Sequence, residues 1–294
     1  MDTDLPPIPD SLVENLAFNL GEAAAVAWLE GAVLRARVLV QEWALRPIQV
    51  LAGGSMSLCL KCEGADGELL VLKVPANIDG GAAEIAALRA WGGNGAARLI
   101  RTDRATSAML MNYLGEVGQG GYGLDDIIDL AERLHQGDPG GYEFGTVDEN
   151  LTRRIVWATD RFREEGYERH NGDLALAEKL VVDLVATDEH PVLLHGDLQA
   201  KNLILSGEEL TAVDPLPVLG PAIFDVAFWI AKSVHQHPTL HYVHRVAELR
   251  PGLDAEALLR WTWALAVLEN RPYIAAGAVE RQEFIDGLRA EVTG

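Results

Sequence analysis

The sequence predicts an α+β protein of two lobes: a small antiparallel-sheet lobe over residues 1–111 and a larger, mostly helical lobe over 112–294. Three observations predict it. Between Pro47 and Pro75, short apolar runs alternate with Gly-rich turns, as strands joined by hairpins do. After about residue 123, apolar residues recur at helical spacing in one segment after another. Between those helices, two short strand-like runs, Val192-Leu193-Leu194 and Leu203-Ile204-Leu205, flank a polar cluster that strands would hold rigidly.

Taken in order, residues 1–10 are rich in Pro and Asp and read as irregular, with Ser11 as an N-cap for a short helix. From Gly21 to about Leu45, Val26, Leu29, Val33, Leu34, Val38 and Trp43 predict the buried stripe of one long helix that stops before Pro47. Ile48–Leu51, Met56–Cys62 and Leu69–Val74 are three strands of an antiparallel meander. A helix over Gly81–Trp91 and strands near Ala97–Thr102 and Ala108–Tyr113 complete the first lobe. Helices are predicted over Leu124–His135, Leu151–Glu165, Gly172–Ala186, Ala222–Val234, Ala255–Ala276 and Val279–Leu288.

The chain has 294 residues, and 24 basic against 44 acidic side chains leave a net charge of −20. Such a surface repels nucleic acid and anionic lipid and attracts cations, so a cationic small molecule is the expected partner, with no obligatory protein partner. No apolar run reaches the length of a membrane span, and the acidic N-terminus lacks secretory-signal character, so a cytoplasmic location is expected. The two cysteines, Cys59 and Cys62, lie three apart on an expected strand. They then point to opposite faces, roughly 10 Å apart, too far for a disulfide. They read as two free thiols.

The chemistry concentrates in Leu194-His195-Gly196-Asp197-Leu198-Gln199-Ala200-Lys201-Asn202, followed by Asp214 in Ala212-Val213-Asp214-Pro215. A carboxylate, a carboxamide five residues on and a second carboxylate are the polar parts of a phosphoryl-transfer site. One orients the attacking hydroxyl, and the other two hold divalent metal on the nucleotide phosphates. Lys73 ends an apolar strand and Glu84 follows on the next helix, the pairing by which protein kinases direct an ammonium at nucleotide phosphates. Gly53-Gly54-Ser55-Met56-Ser57 occupies the turn where a phosphate-covering loop belongs, although it lacks the full kinase glycine pattern.

Two other motifs are set aside. Gly118-Gln119-Gly120-Gly121-Tyr122-Gly123 matches a dinucleotide fingerprint, but no second parallel strand or ribose-binding acid follows; it reads as a connector between lobes. His235, His237, His241, His244 and Glu248 read as a polar helix face, with a transition-metal site as the alternative.

On these residues the chain resembles the aminoglycoside phosphotransferases, and within them the streptomycin 6-kinase (aminoglycoside and hydroxyurea resistance kinase) family. The resemblance spans nearly the whole length. It rests on Val192–Leu198 with Asn202, Val213-Asp214-Pro215, Gly220-Pro221 and Phe224-Asp225, supported by Glu42–Leu45, Val71–Lys73, Glu84, Ala87–Trp91 and Leu110-Met111. It implies a protein-kinase-like two-lobe fold, with ATP and Mg²⁺ as cofactors. It implies Asp197 as the catalytic group, Asn202 and Asp214 as metal ligands, and Lys73 on the ATP phosphates, paired with Glu84. His195 and Asp225 brace the loop, and a hinge at Met111–Tyr113 holds adenine through its backbone. Gln199 departs from the His or other basic or polar residue that many relatives carry there. Asp214 is followed by Pro215 rather than Phe-Gly, which fits a small-molecule kinase. Gly118–Gly123 is richer in glycine than the family pattern. For the acceptor, Asp160, Glu164, Glu269 and Asn270 are the expected contacts, the carboxylates pairing with guanidinium or ammonium groups of an antibiotic. Streptomycin or another aminoglycoside is the first reading. A kinase of another small alcohol (a tuberactinomycin peptide, hydroxyurea or a primary metabolite) and a catalytically silent nucleotide-binding module are the alternatives.

Overall fold

The computed structural model describes residues 5–293 apart from 53–55, 119, 166–170, 187–189, 234–239 and 276, with backbone only at 157, 158, 160–165, 171 and 271–275. The chain forms two compact units, Met1–Gly115 and Glu116–Gly294. Their division falls four residues beyond the sequence-based boundary.

The first unit opens with two helices, α1 (Asp10–Leu20) and α2 (Glu22–Glu42). Ser11 lies inside α1 rather than capping it. The helix starts at Asp10, whose charge suits the positive end of the helix dipole, and Leu12 N–H closes the first turn on Pro9 O at 3.0 Å. Helix α2 ends three residues short of the expected stop, because Ala44 adopts a left-handed φ of 52°. The expected buried stripe is only partly right. Trp43 is buried, but Val26, Leu34 and Val38 are 54%, 63% and 60% exposed, and α2 turns Ala25, Ala32, Ala36, Leu39 and Val40 inward instead. Small alanines let the helix lie close against its neighbours, a packing preference that apolar periodicity alone does not encode.

The sheet follows: β1 (Arg46–Val50), β2 (Ser57–Glu63), β3 (Leu69–Pro75), then helix α3 (Ile78–Trp91), β4 (Leu99–Asp103) and β5 (Ala108–Asn112). Strand order is β1-β2-β3-β5-β4, and the neighbours are antiparallel. Leu58, Leu60 and Cys62 of β2 alternate into the core with Leu70, Leu72 and Val74 of β3, as a period of two requires. Cys59 and Cys62 form no disulfide; burial pushes the Cys62 thiol up to about 11, so it is an inert core residue.

The second unit contains α4 (Leu124–Leu134), α5 (Val147–Glu165), α6 (Asn171–Ala186), β6 (Val192–Leu194), β7 (Leu203–Ser206), β8 (Glu209–Ala212), β9 (Val218–Gly220), α7 (Ile223–Lys232), α8 (His241–Leu249), α9 (Ala255–Ala275) and α10 (Val279–Thr293). Two short antiparallel ribbons, β6 with β9 and β7 with β8, sit among the helices. Fully buried Phe224, Phe228, Trp261 and Trp263 anchor α7 on α9, with Phe224 edge-on to Trp261 at 5.4 Å between centroids. The glycine-rich segment at 118–123 is no dinucleotide loop. The strand before it, β5, lies between antiparallel partners, and no βαβ crossover follows among the described residues. Gly118 instead hooks the segment onto β7, its N–H donating to Leu203 O at 2.9 Å. No helix among the described residues is long and apolar enough to cross a membrane.

The packing of α2 yields a direct comparison. Leu39→Ala should lower unfolding free energy by about 2–4 kcal/mol. Val38→Ala, one residue away, should change it by less than about 0.5 kcal/mol. Urea unfolding of both variants checks the orientation of the helix.

Candidate active site

In the first unit, Lys73 and Glu84 are brought together and buried, 4% and 5% exposed. Lys73 sits on β3 between Cys59 of β2 and Met109 of β5, and its Nζ lies 2.7 Å from both carboxylate oxygens of Glu84. Helix α3 delivers Glu84. Asn77 caps its start by accepting from Gly80 N–H at 3.1 Å. Gly81 lets the helix approach the sheet: a Cβ there would come within 2.6 Å of Pro75 Cγ and 2.9 Å of Ser107 Cβ. Ser57 begins β2 and is buried. Gly53, Gly54 and Ser55 lie outside the described residues. Met111 is a buried strand residue paired with Val71 and Leu99. Tyr113 follows the strand, its N–H donating to Leu69 O at 3.0 Å and its ring 4.0 Å beneath the Lys61 ammonium. That backbone N–H is therefore already committed to the sheet.

In the second unit, the loop from β6 to β7 carries His195, Asp197 and Asn202, and the turn after β8 carries Asp214. The loop reverses at Gly196, which has φ +73°; a Cβ there would lie 2.1 Å from Leu216 O, so glycine is required. Asp225, on the first turn of α7 and fully buried, accepts from His195 N–H at 2.9 Å and Gly196 N–H at 3.0 Å, with His135 Nε2 at 3.1 Å. Burial alone would raise this carboxyl. The His135 hydrogen bond and charge and the His195 N–H outweigh burial and hold it below the usual range. The His195 ring is fully buried, and burial lowers its pKa despite nearby carboxylates. It is neutral, with Nδ1 accepting from Asp197 N–H at 3.3 Å and Nε2 donating to Val213 O at 3.1 Å. Val213 N–H to Asn202 O and Leu216 N–H to His195 O, both 2.9 Å, bind the Asp214 turn to the same loop.

Asp197 is 8% exposed, and burial raises its pKa against the opposing charges of Lys201 and Arg154. Gln199 Nε2 donates to its Oδ1 at 2.7 Å, and Asn202 Nδ2 donates to its Oδ2 at 2.9 Å and to its backbone O at 2.8 Å. Each carboxylate oxygen has a second lone pair, so capacity remains for an incoming hydroxyl. The amide of Asn202 is oriented by these bonds, which leaves its Oδ1 as an acceptor. Asp214 is held at φ 56°, a left-handed conformation that costs about 1–2 kcal/mol in a non-glycine residue. A carboxamide oxygen and a carboxylate are hard donors of the kind that suit Mg²⁺.

The expected acceptor contacts fare differently. Asp160 and Glu164 are on α5, but their side chains lie outside those described. Asn270 is fully buried, with Nδ2 donating to Ala231 O and Oδ1 accepting from Arg281, both at 2.9 Å. It is a bridge within the helical core, not a surface for a substrate. Glu269 is already paired: Arg154 Nη1 donates to Oε1 at 2.7 Å and Lys232 Nζ lies 3.2 Å from Oε2. The guanidinium that sequence reasoning expected there from a ligand is the protein's own. Burial would raise the Glu269 carboxyl, but Arg154 and Lys232 bring it down. Arg154, Gln199 and His135 were not anticipated. Arg154 sits on a helix whose polar residues look alike by periodicity, His135 follows the end of α4, and Gln199 stands out in the sequence only as a departure from the pattern. The histidine cluster is only partly visible: His235 and His237 lie outside the described residues, and His244 Nε2 is 3.4 Å from Glu291 Oε2. Among the described residues no group of three metal-type side chains converges.

Residues 42–272 match the family model described as aminoglycoside/hydroxyurea antibiotic resistance kinase. The chain belongs to this family. Within it, the chain is 28% identical to a streptomycin 6-kinase of Streptomyces griseus over 74% of its own length and 73% of that protein's. It is 31% identical to a hydroxyurea phosphotransferase of Kitasatospora aureofaciens over 74% and 66%. A thermostable mutant of the aminoglycoside phosphotransferase APH(4)-Ia superposes with a TM-score of 0.60 at 15% identity, covering 87% of this chain and 98% of that one. The fold is that of the protein-kinase-like phosphotransferases, and this resistance kinase is an enzyme of that class.

The Asp225 hub has a pH signature. Its folded-state carboxyl is held below the unfolded value, so ionisation stabilises the fold above about pH 4, and that contribution is lost as pH falls through the folded-state pKa. Asp225→Asn should therefore destabilise by about 2–3 kcal/mol near neutral pH. The gap from the unsubstituted protein should narrow below about pH 4. Urea unfolding at a series of pH values measures it.

Proposed function

We propose that this resistance kinase transfers the γ-phosphoryl group of ATP to a hydroxyl of a cationic small-molecule antibiotic, streptomycin or another aminoglycoside. The observation that carries the reading is the Asp197 carboxylate, mostly buried and held on both oxygens by Gln199 and Asn202. A carboxylate so fixed orients an acceptor hydroxyl and takes its proton late, which suffices for a loose phosphoryl-transfer transition state. In this reading Asn202 Oδ1 and Asp214 hold Mg²⁺, which when bound neutralises phosphate charge. Lys73, aimed by Glu84, contacts the phosphates, and Gly53, Gly54, Ser55 and Ser57 cover them. The backbone around Met111 and Tyr113 receives the adenine. His195 and Asp225 keep the loop in shape.

The acceptor class rests on charge and kinship. Residues 116–294 carry 31 acidic and 15 basic side chains, against 13 and 9 in residues 1–115, so the excess negative field belongs to the helical unit. One relative is named a streptomycin 6-kinase. A second reading, phosphorylation of hydroxyurea, is favoured by the relative at 31% identity. Either reaction draws on ATP and belongs in the cytoplasm.

Incubating the purified protein with Mg-ATP and streptomycin, other aminoglycosides, tuberactinomycin peptides and hydroxyurea should add one phosphoryl group to an aminoglycoside, read by mass. Product from hydroxyurea alone would favour the second reading, and ATP binding without product from any of them a silent nucleotide-binding module. Asp197→Asn should keep the fold and ATP affinity and lose roughly 10²–10⁴ in kcat; near-normal turnover would overturn the assignment.

A further inference from the structure

The Gly196 peptide is held on its N–H side by Asp225, and the opposite side of the same residue is also held. Arg154, on α5, donates from Nη2 to Gly196 O at 3.2 Å while Nη1 donates to Glu269 Oε1 at 2.7 Å. Its guanidinium carbon lies 5.3 Å from the centroid of the Phe228 ring on α7. Glu269 is in turn held by Lys232 from the end of α7, at 3.2 Å. The side chains of Arg154, Glu269 and Lys232 are 21%, 17% and 14% exposed, so the cluster is largely withdrawn from solvent, where charge-assisted bonds are strong and loss of one partner is felt.

We infer that Arg154 is a positioning residue for Asp197: it clamps the carbonyl of Gly196, with Glu269 and the Phe228 ring fixing its guanidinium plane. The inference rests on the proposed role of Asp197 as the group that orients the acceptor hydroxyl. Gly196 directly precedes Asp197. Its left-handed φ is a conformation that glycine leaves readily, because no Cβ restricts it. Asp225 on the N–H and Arg154 on the carbonyl together fix both polar groups of the residue whose rotation would swing the carboxylate. Only a forked donor does this. Arg presents two N–H arms in one plane and can serve a carboxylate and a carbonyl at once, whereas a lysine ammonium in the same place serves the nearer one. Glu269 then acts through Arg154 rather than on a substrate.

Arg154→Lys is the decisive variant, because it keeps a cation for Glu269 and removes the second arm. It should melt close to the unsubstituted protein. Its kcat should fall roughly 10- to 100-fold, as a misplaced reacting group does, with KM for ATP within about twofold. Amide hydrogen exchange of the peptide spanning His195 to Asn202, followed by mass spectrometry on the full chain, should speed up, with other segments unchanged. Glu269→Gln should show the same pattern more weakly. Unchanged kcat with unchanged exchange would overturn the inference. So would a fall in kcat without faster exchange in the loop, since Arg154 would then act on substrate directly. If the unsubstituted protein transfers no phosphoryl group to any acceptor, the proposed function fails, and the exchange measurement still decides whether Arg154 holds the loop.

Discussion

The conformation of one glycine supports the part of the candidate site that lies in the helical unit. Gly196 reverses the chain in a left-handed turn so closely packed on Leu216 that no side chain fits, and it does so one residue before Asp197. A turn of this kind is not self-supporting, because glycine has the widest conformational choice of any residue. It persists because the buried carboxylate of Asp225 accepts its N–H, and because that carboxylate is itself satisfied by His195 N–H and by His135. An unpaired carboxylate at that depth would be strongly unfavourable. Paired three times over, it becomes a rigid hub. It holds the backbone N–H of His195, whose neutral ring donates to Val213 O; Val213, next to the left-handed Asp214, in turn donates its N–H to Asn202 O.

The same logic of buried charge governs the first unit on a smaller scale. Lys73 and Glu84 are taken out of water as a pair, each compensating the other at 2.7 Å. A buried ion pair of this kind is poor evidence for stability, since an apolar pair of similar volume often does as well. The closeness of α3 to β3 that creates the pair depends on the missing side chain of Gly81. Around Asp197 the charges are mixed: the cations Lys201 and Arg154 lower its pKa and the Glu269 carboxylate, paired with Arg154, raises it.

The legible part of this protein was the part written in local spacing. His195, Asp197, Asn202 and Asp214 fall within one short stretch, so the strands and loop that hold them could be read together. Lys73 and Glu84 were legible because a lysine ending an apolar strand is conspicuous. Arg154 and His135 were not, because Arg154 reaches Gly196 from a helix 42 residues away in sequence and His135 reaches Asp225 from the end of α4, 90 residues away. Glu269 was noticed for its charge and misassigned for the same reason: a sequence shows a carboxylate but not the cations that already occupy it.

By itself the sequence determined the order of elements, the antiparallel meander, the helical second half and the residue types of a phosphoryl-transfer site, since each depends on periodicity, turn chemistry or short-range spacing. Only the tertiary structure decided which face of α2 is buried, that Asn270 is a core bridge, and that Arg154, Glu269 and Lys232 form one cluster beside the loop that carries Asp197. These depend on packing between segments remote in sequence, where the environment, rather than residue type, sets whether a group is exposed, paired or charged.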